Sequence, residues 1–313
     1  MQVHFGFDQA IGIKNPVVTT GSFDGVHIGH KTILNRINEI AKNIDGESVL
    51  ITFYPHPRKV LYPETAGKDL MFISSQKEKI ELLRKAGLNH LIIVKFTLDF
   101  SRTSSEEFIR DILIKKLGAK FIVVGFNHHF GHNRQGDYEY LYNLSKELNF
   151  GVEEIPEQDI QHETVSSSTI RKAIKDGRIQ RANAYLDHQY IIIGGLGKGT
   201  HIFNDINFPT LTVQIEEAGK LIPPDGVYAV AVHWNDSQYK AMAIVWREQN
   251  EDVNSEIIPS VELHLLDFDS KFHDDEATIY FQKQIFFVVD MKNKDILRKQ
   301  LSLGQSAVND LIY

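Results

Sequence analysis

The chain has 313 residues, 42% of them apolar and 24% charged, a formal net charge of −7 and no cysteine. That composition is ordinary for a globular protein with room for two domains, and it excludes disulfides, thiolate catalysis and cysteine-based metal sites. Residues 184–313 carry 19 acidic against 10 basic side chains, a poor surface for nucleic acid; with no secretory pattern at the start and no apolar run near the roughly 20 residues of a bilayer span, the expectation is a cytoplasmic protein without nucleic-acid or membrane partners.

In chain order, the apolar run at residues 16–20 reads as a buried strand. It is followed by Gly21-Ser22-Phe23-Asp24-Gly25-Val26-His27-Ile28-Gly29-His30, and then by Ile33, Ile37, Ile40 and Ile44 on one helical face. A strand, a glycine-rich turn and a helix start form the place where an α/β protein holds phosphate, because backbone N–H groups converge there and the helix dipole favours negative charge. His27 and His30 stand at the mouth of this turn. The bland alternative is two surface histidines beside a loop.

Further on, residues 49–53, 91–96 and 121–125 are near-continuously apolar, as in strands of a parallel sheet covered on both faces. Between them, residues 76–86, 105–117 and 138–148 have helical patterning. This alternation predicts a doubly wound α/β domain with ligands at the carboxyl ends of its strands. After residue 185 the pattern changes. Residues 190–193, 210–215, 227–233, 241–245, 261–266 and 278–287 read as strands separated by turns, and residues 294–311 as one helix. The expectation is a first domain at 1–185 and a small antiparallel β-barrel domain with a C-terminal helix at 186–313.

Three more segments of the first half carry chemistry. In Thr52-Phe53-Tyr54-Pro55-His56-Pro57-Arg58, two prolines stiffen a loop that presents His56 and Arg58, unless it is simply a rigid turn. The segment at 124–137 leaves a strand with Asn127, His128, His129 and His132. No fixed spacing aims these histidines at one point, so a binding loop for a planar phosphorylated ligand is preferred to a metal site. At 165–171, Ser166, Ser167 and Ser168 precede a helix expected at 170–175 and offer caps or phosphate contacts. Arg171 has the planar fork that grips phosphate, or is an ordinary surface arginine.

Together these segments resemble the bacterial bifunctional riboflavin kinase/FMN adenylyltransferase (FAD synthetase) family. Its Gly-x-Phe-Asp-Gly-Val-His-x-Gly-His is complete at 21–30 and its Thr-Phe-x-Pro-His-Pro at 52–57. Its Val-Gly-x-(Asp/Asn)-x-x-Phe-Gly stands at 124–131, and its Ser-Ser-Thr-x-Ile-Arg at 166–171 with Ser168 in place of threonine. The resemblance implies FMN plus ATP giving FAD plus pyrophosphate, with Mg²⁺ sharing the charge. It implies that His27, His30 and Arg171 are catalytic. Gly21, Ser22, Phe23, Gly29, Ser167 and Ser168 would bind ATP, and Asn127, Phe53, His56 and Pro57 would face the flavin.

The second half resembles the family's riboflavin kinase module unevenly. Gly194-x-Leu196-x-x-Gly199 looks like its opening glycine pattern, and Asn207-Phe208-Pro209-Thr210 stands where the family has Gly-Phe-Pro-Thr. Thr212 replaces the asparagine that follows. Glu262 falls at the catalytic glutamate, the kinase base, and Thr210 at the kinase magnesium ligand. The family's Gly-Arg reads Phe203-Asn204 here, its Asn-Ile-Gly segment reads Val245-Trp246-Arg247, and an arginine expected near 284–288 is missing. The preferred expectation is an FMN adenylyltransferase with a weak or silent kinase module, acting on small molecules as a monomer or weak homo-oligomer. The alternatives are the full bifunctional enzyme and a non-catalytic flavin- or nucleotide-binding relative.

Overall fold

A computed structural model describes the chain except at residues 127–128, 133–134, 158, 161–162, 248–258, 269–274, 288–290, 292 and 312–313. It divides into two compact units. The first comprises Met1–Leu70 and Lys79–Ser166, the second Met71–Glu78 and Ser167–Tyr313.

The first unit is built on six parallel strands: β1 (Gln2–Phe5), β2 (Val17–Thr20), β3 (Ser48–Tyr54), β4 (His90–Lys95), β5 (Phe121–Gly125) and β6 (Gly151–Ile155), in the order β1-β4-β3-β2-β5-β6. Adjacent residues of β2, β3 and β4 send side chains to opposite faces, and both faces are covered. Val17, Leu50, Leu91 and Ile93 pack with Leu34, Ile37, Ile40 and Ala41 of helix α1 (Ile28–Asn43). Each fully buried Leu or Ile there stabilises by about 2 kcal/mol relative to exposure. Ile33 is only partly buried, and Ile44 caps the helix with 37% exposure, so the buried stripe sits slightly turned from the one expected. On the other face Val18, Val49, Ile51, Ile92 and Val94 meet Phe108, Ile109 and Leu113 together with Leu141 and Leu144. The short α2 (Pro57–Leu61) follows β3, and α3 (Gln76–Lys85) precedes β4. α4 (Ser105–Glu107) runs on into a π-helical stretch, Phe108–Lys116, and α5 (Tyr138–Leu148) precedes β6. Two short strands, β7 (Asp159–Ile160) and β8 (Glu163–Thr164), pair antiparallel near the end of the unit.

In the second unit, helices α6 (Ser167–Lys175) and α7 (Ile179–Leu186) precede a closed antiparallel barrel. Its strands are β9 (Tyr190–Lys198), β10 (Leu211–Gln214), β11 (Gly226–Trp234), β12 (Ser237–Arg247), β13 (Pro259–Leu265) and β14 (Glu276–Phe286), in the order β10-β13-β12-β11-β14-β9. The one-turn α8 (His201–Asn204) sits between β9 and β10, and α9 (Lys294–Leu311) lays Leu297, Leu301 and Val308 on the outer face of the barrel beside Val227, Met242 and Ile244. Helix α6 begins at Ser167, earlier than the expected 170, so Ser167 and Ser168 lie in its first turn.

Residues 71–78 belong to the barrel unit through a buried polar knot. Lys220 and Glu78, 1% and 0% exposed, pair at 2.6 Å. The Lys220 ammonium also donates to the carbonyls of Ile73 and Ile191, at 2.6 and 2.7 Å, and lies 4.3 Å over the Tyr190 ring. Glu78 accepts from the N–H groups of Ser75 and Ile193. Every strong donor and acceptor is met, which is the condition for keeping an ion pair out of water.

Candidate active sites in the two units

In the first unit the strand order reverses at β2, with β3 on one side and β5 on the other. Open α/β sheets bind ligands at such a switch point, beyond the carboxyl ends of the strands. A pocket of about 390 Å³ lies there. Thr20, Gly125 and Ile155 at the ends of β2, β5 and β6 line it, together with Gly21, Ser22, Phe23, His27, Gly29 and His30.

The turn from β2 into α1 has an unusual backbone. Phe23, Gly25 and Val26 all have positive φ, at 46°, 85° and 42°. Glycine adopts this freely, while a β-branched valine does so only where its surroundings impose it. Phe23 and Val26 are buried at 2% and 0% exposure, so the core holds the turn in a conformation costing about 1–3 kcal/mol per strained residue. His27 is the N-cap of α1 and makes no side-chain capping bond. The first-turn N–H groups of Ile28, Gly29 and His30 therefore have no side-chain cap and are disposed to meet an anion. The His27 and His30 rings stack with centroids 3.6 Å apart, and Phe23 stacks on the far side of His30 at 4.4 Å. His30 Nδ1 is buried with no hydrogen-bond partner. Burial first, then the neighbouring His27 and Lys79, hold the His30 pKa well below its ordinary value, so the free protein carries it neutral at pH 7.

The remaining expected residues are placed as follows. Phe53 closes an aromatic group with Phe96 and Phe100, at 5.6 and 5.8 Å. His56 is the N-cap of α2, where its Nδ1 accepts from the Arg58 N–H at 3.1 Å, and Pro57 is the first helical residue. Asn127 and His128 lie outside the described residues. Arg171, in the second unit with Ser167 and Ser168, donates Nε to the Met71 carbonyl at 2.8 Å. A second pocket wall is formed by Phe126 and Val165, which lie in the 124–137 and 165–171 segments that the sequence singles out, and by Ile155, Pro156 and Glu157, which it does not. Phe126 is 51% exposed, an unusual state for an aromatic residue beside a pocket. Its position immediately after a strand in a doubly wound sheet was the available signal.

In the barrel, Glu262 lies in the middle of β13, opposite Thr212 of β10 and Ile244 of β12, and is fully buried. Its Oε1 accepts from the Thr200 N–H at 3.3 Å and lies 3.4 Å from the Thr212 hydroxyl, whose proton has a nearer acceptor in the Lys198 carbonyl at 2.9 Å. Thr210 faces the carboxylate, but neither its Oγ1 nor Glu262 Oε2 completes a hydrogen bond of normal geometry, and the Thr200 hydroxyl is equally without a partner. Burial pushes the Glu262 pKa above the ordinary carboxylate range, against the pull of the Thr210, Thr200 and Thr212 donors. His264 Nδ1 donates to the Pro209 carbonyl at 2.9 Å and so ties the Thr210 segment to β13.

Several departures of this half acquire a physical meaning. A Cβ on Gly199 would stand 2.2 Å from both the carbonyl and the hydroxyl oxygen of Thr210, so the glycine lets this loop reach Thr210. Asn207 has φ of 61°, a conformation that glycine and asparagine share. Phe203 is fully buried in the apolar layer under α9, and Arg247 pairs with Asp225 and donates to the Pro223 carbonyl. Gln284 donates to the Phe286 carbonyl at 3.2 Å.

A family model described as FAD synthetase matches residues 12–169, and one described as riboflavin kinase matches residues 186–311. A Listeria monocytogenes protein named bifunctional riboflavin kinase/FMN adenylyltransferase is 30% identical over 280 residues, covering 89% of this chain and 86% of its own length. Its Bacillus subtilis namesake is 31% identical over 274 residues, covering 86% and 84%. A solved Streptococcus pneumoniae structure, described as a macrolide-efflux protein, superposes with a TM-score of 0.87 at 26% identity, covering 99% of this chain and 98% of its own.

Proposed function

From the premise that the chain belongs to the bifunctional riboflavin kinase/FMN adenylyltransferase family and is an FMN adenylyltransferase, we propose that it makes FAD at the pocket of the first unit, with a barrel whose kinase activity is weak. The functional division proposed is 1–185 for adenylyl transfer and 186–313 for the flavin-kinase module. Efflux is not carried over. Both halves match flavin-enzyme models, and among the described residues no helix is long and apolar enough to cross a membrane.

The observation that carries the reading is the stacked histidine pair at the start of α1, with His30 neutral and lining the pocket. A phosphate oxygen of FMN, already ionised, attacks the α-phosphorus of ATP in line. The bond to the bridging oxygen breaks and pyrophosphate leaves, so the protein's task is positioning and charge stabilisation. The α1 N–H groups receive the phosphates. His30 takes up a proton as the triphosphate's charge arrives and donates to the leaving group together with His27. The apolar wall of Phe126, Ile155 and Pro156 suits a purine ring. Ser167, Ser168 and Arg171 are assigned to the triphosphate, and Asn127, Phe53, His56 and Pro57 to the flavin, on the family resemblance.

The second reading, full bifunctionality, is favoured by the unpartnered oxygens of Thr210 and Glu262. Such an oxygen set fits a hard cation, and Mg²⁺ bound there would offset phosphate charge. Glu262, with its raised pKa, is placed to accept a hydroxyl proton. The phosphate cradle is what this half has lost. Incubating the full chain with ATP-Mg²⁺ and either FMN or riboflavin, and following products by chromatography, tests the readings. FAD from FMN with little FMN from riboflavin is expected. Equal conversion of both substrates establishes the second reading, and no FAD from FMN overturns the first.

A further inference from the structure

Paired residues on neighbouring strands point to the same side of a sheet, and so do residues two apart on one strand. Trp246 pairs with Ser260, and Ile244 pairs with Glu262, which pairs in turn with Thr212. Trp246, Ile244, Glu262 and Thr212 therefore share the outer face of the barrel. Strand geometry puts the Trp246 and Glu262 backbones roughly 8 Å apart. The Trp246 ring packs against the apolar layer that contains Phe203, Phe208, Ile244 and Leu301.

Four polar side-chain atoms of this neighbourhood are buried without a hydrogen bond of normal geometry: Glu262 Oε2, Thr210 Oγ1 and Thr200 Oγ1, which face one another, and Trp246 Nε1. Native proteins rarely leave such groups unmet, and a concentration of them in one place calls for something that meets them. Their chemistry differs along the face. Near Glu262 the atoms are oxygens suited to a hydroxyl and a cation. At the other end the indole N–H is purely a donor, set in an apolar surround, and it requires an acceptor on a flat, largely apolar body. A ring carbonyl of an isoalloxazine, with its ribityl chain running toward Glu262, supplies both. Trp246 is also where this chain departs from the Asn-Ile-Gly pattern expected there.

We propose that Trp246 is a specificity-determining residue of the barrel, donating its indole N–H to a ring carbonyl of riboflavin while Glu262 and Thr210 receive the hydroxyl end. The assignment rests on the reading of the barrel as a flavin-binding module. The competing possibility is that the indole fills the place of the flavin ring and closes the site.

The test titrates riboflavin, 2-thioriboflavin and 4-thioriboflavin into the full-length protein, its Trp246→Phe variant and a Trp234→Phe control, following flavin fluorescence or absorbance. Sulfur is a much weaker acceptor than oxygen at the same position. Wild type should prefer riboflavin over one of the thio analogues. Trp246→Phe should bind riboflavin about tenfold more weakly, the worth of one hydrogen bond, and should lose that preference. FAD formation from FMN should be unchanged in all three proteins, and the calorimetric transition of the barrel unit should match wild type, which certifies their folding. Riboflavin binding to Trp246→Phe that is unchanged or tighter overturns the proposal in favour of the filled site, and leaves the flavin-binding reading standing. Weaker binding with the thio preference intact overturns donation by the indole. Absence of riboflavin binding to wild type overturns the proposal together with the reading beneath it.

Discussion

The two units build their candidate sites from opposite materials. In the first, the site is the end of things: strand carboxyl termini, a strained turn and the first N–H groups of α1, opening on a pocket lined by His27 and His30. In the barrel it is the middle of things, with Glu262 at the centre of a strand, fully buried and flanked by threonine hydroxyls. A site made of backbone and helix dipole stays legible in a short contiguous motif, because the turn that makes it is local. A site made of side chains on separate strands and on the loop before them is spread over residues 200–262, and each member can be replaced singly.

That contrast predicts different failures on mutation. The largest effect belongs to the buried knot of the barrel unit. Lys220→Met leaves the Glu78 carboxylate buried with its cation gone, a loss of about 3–5 kcal/mol. At about 2–4 °C per kcal/mol, the transition of that unit in a calorimetric scan should fall by roughly 10 °C. The double variant Lys220→Met/Glu78→Leu removes both charges and should recover part of the loss. A single variant as stable as wild type would mean that water reaches the pair.

His30→Ala comes next. It should lower FAD formation from FMN at least a hundredfold, about 2.7 kcal/mol of transition-state stabilisation, with the thermal transition little changed. Near-normal turnover would remove the histidine pair from the mechanism. The same residue gives a linkage prediction. Because His30 is neutral in the free protein for reasons of burial and neighbouring charge, triphosphate binding should take up protons. Calorimetry of ATP binding near pH 7 in buffers of differing ionisation enthalpy reads that uptake. A heat independent of the buffer would show that the imidazole does not change state.

A smaller effect concerns stability against pH. The pKa values of His30, His90 and His264 all lie below the ordinary imidazole value of 6.5, with burial as the largest cause in each. The unfolded chain then binds protons that the folded chain refuses. Their contribution is complete above pH 6.5 and is lost progressively as the pH falls below it. Melting temperatures from pH 8 to pH 5 should be flat and then decline. A saturating triphosphate should soften the decline if it restores the proton to His30. A melting temperature that rises on acidification contradicts the assigned direction.

How much of this was legible follows the same division. Residues 49–53, 91–96 and 121–125 announced β3, β4 and β5 because central parallel strands are apolar on both faces. The edge strands β1 and β6, Gln-Val-His-Phe and Gly-Val-Glu-Glu-Ile, escaped notice because an edge tolerates polar residues that mask the pattern. Ser167 and Ser168 read as a segment ahead of a helix, since serine favours caps, yet α6 already includes them. No local rule could find the Glu78–Lys220 pair, 142 residues apart in sequence. The pocket wall at Ile155–Glu157 was equally hidden, because strand order brings it beside the loop that follows β5.

The smallest predicted effect sharpens the comparison most, because it asks whether a departure in the barrel is damage or substitution. Asn207 stands where the family has glycine, at φ of 61°. Asparagine reaches this conformation with little strain, whereas alanine pays about 1 kcal/mol for it. Asn207→Gly should therefore leave both stability and FMN formation from riboflavin within error of wild type, and Asn207→Ala should lower the barrel's transition by a few degrees. If Asn207→Gly instead raises FMN formation, the turn before Thr210 limits the kinase reaction, and the limit lies in backbone geometry. If it does not, and FMN formation in wild type is as weak as proposed, the cause is to be sought in side chains such as Phe203 and Gln284. Phe203 is buried in the layer under α9 where the family pattern has a glycine, and Gln284 donates to the Phe286 carbonyl near where that pattern has an arginine.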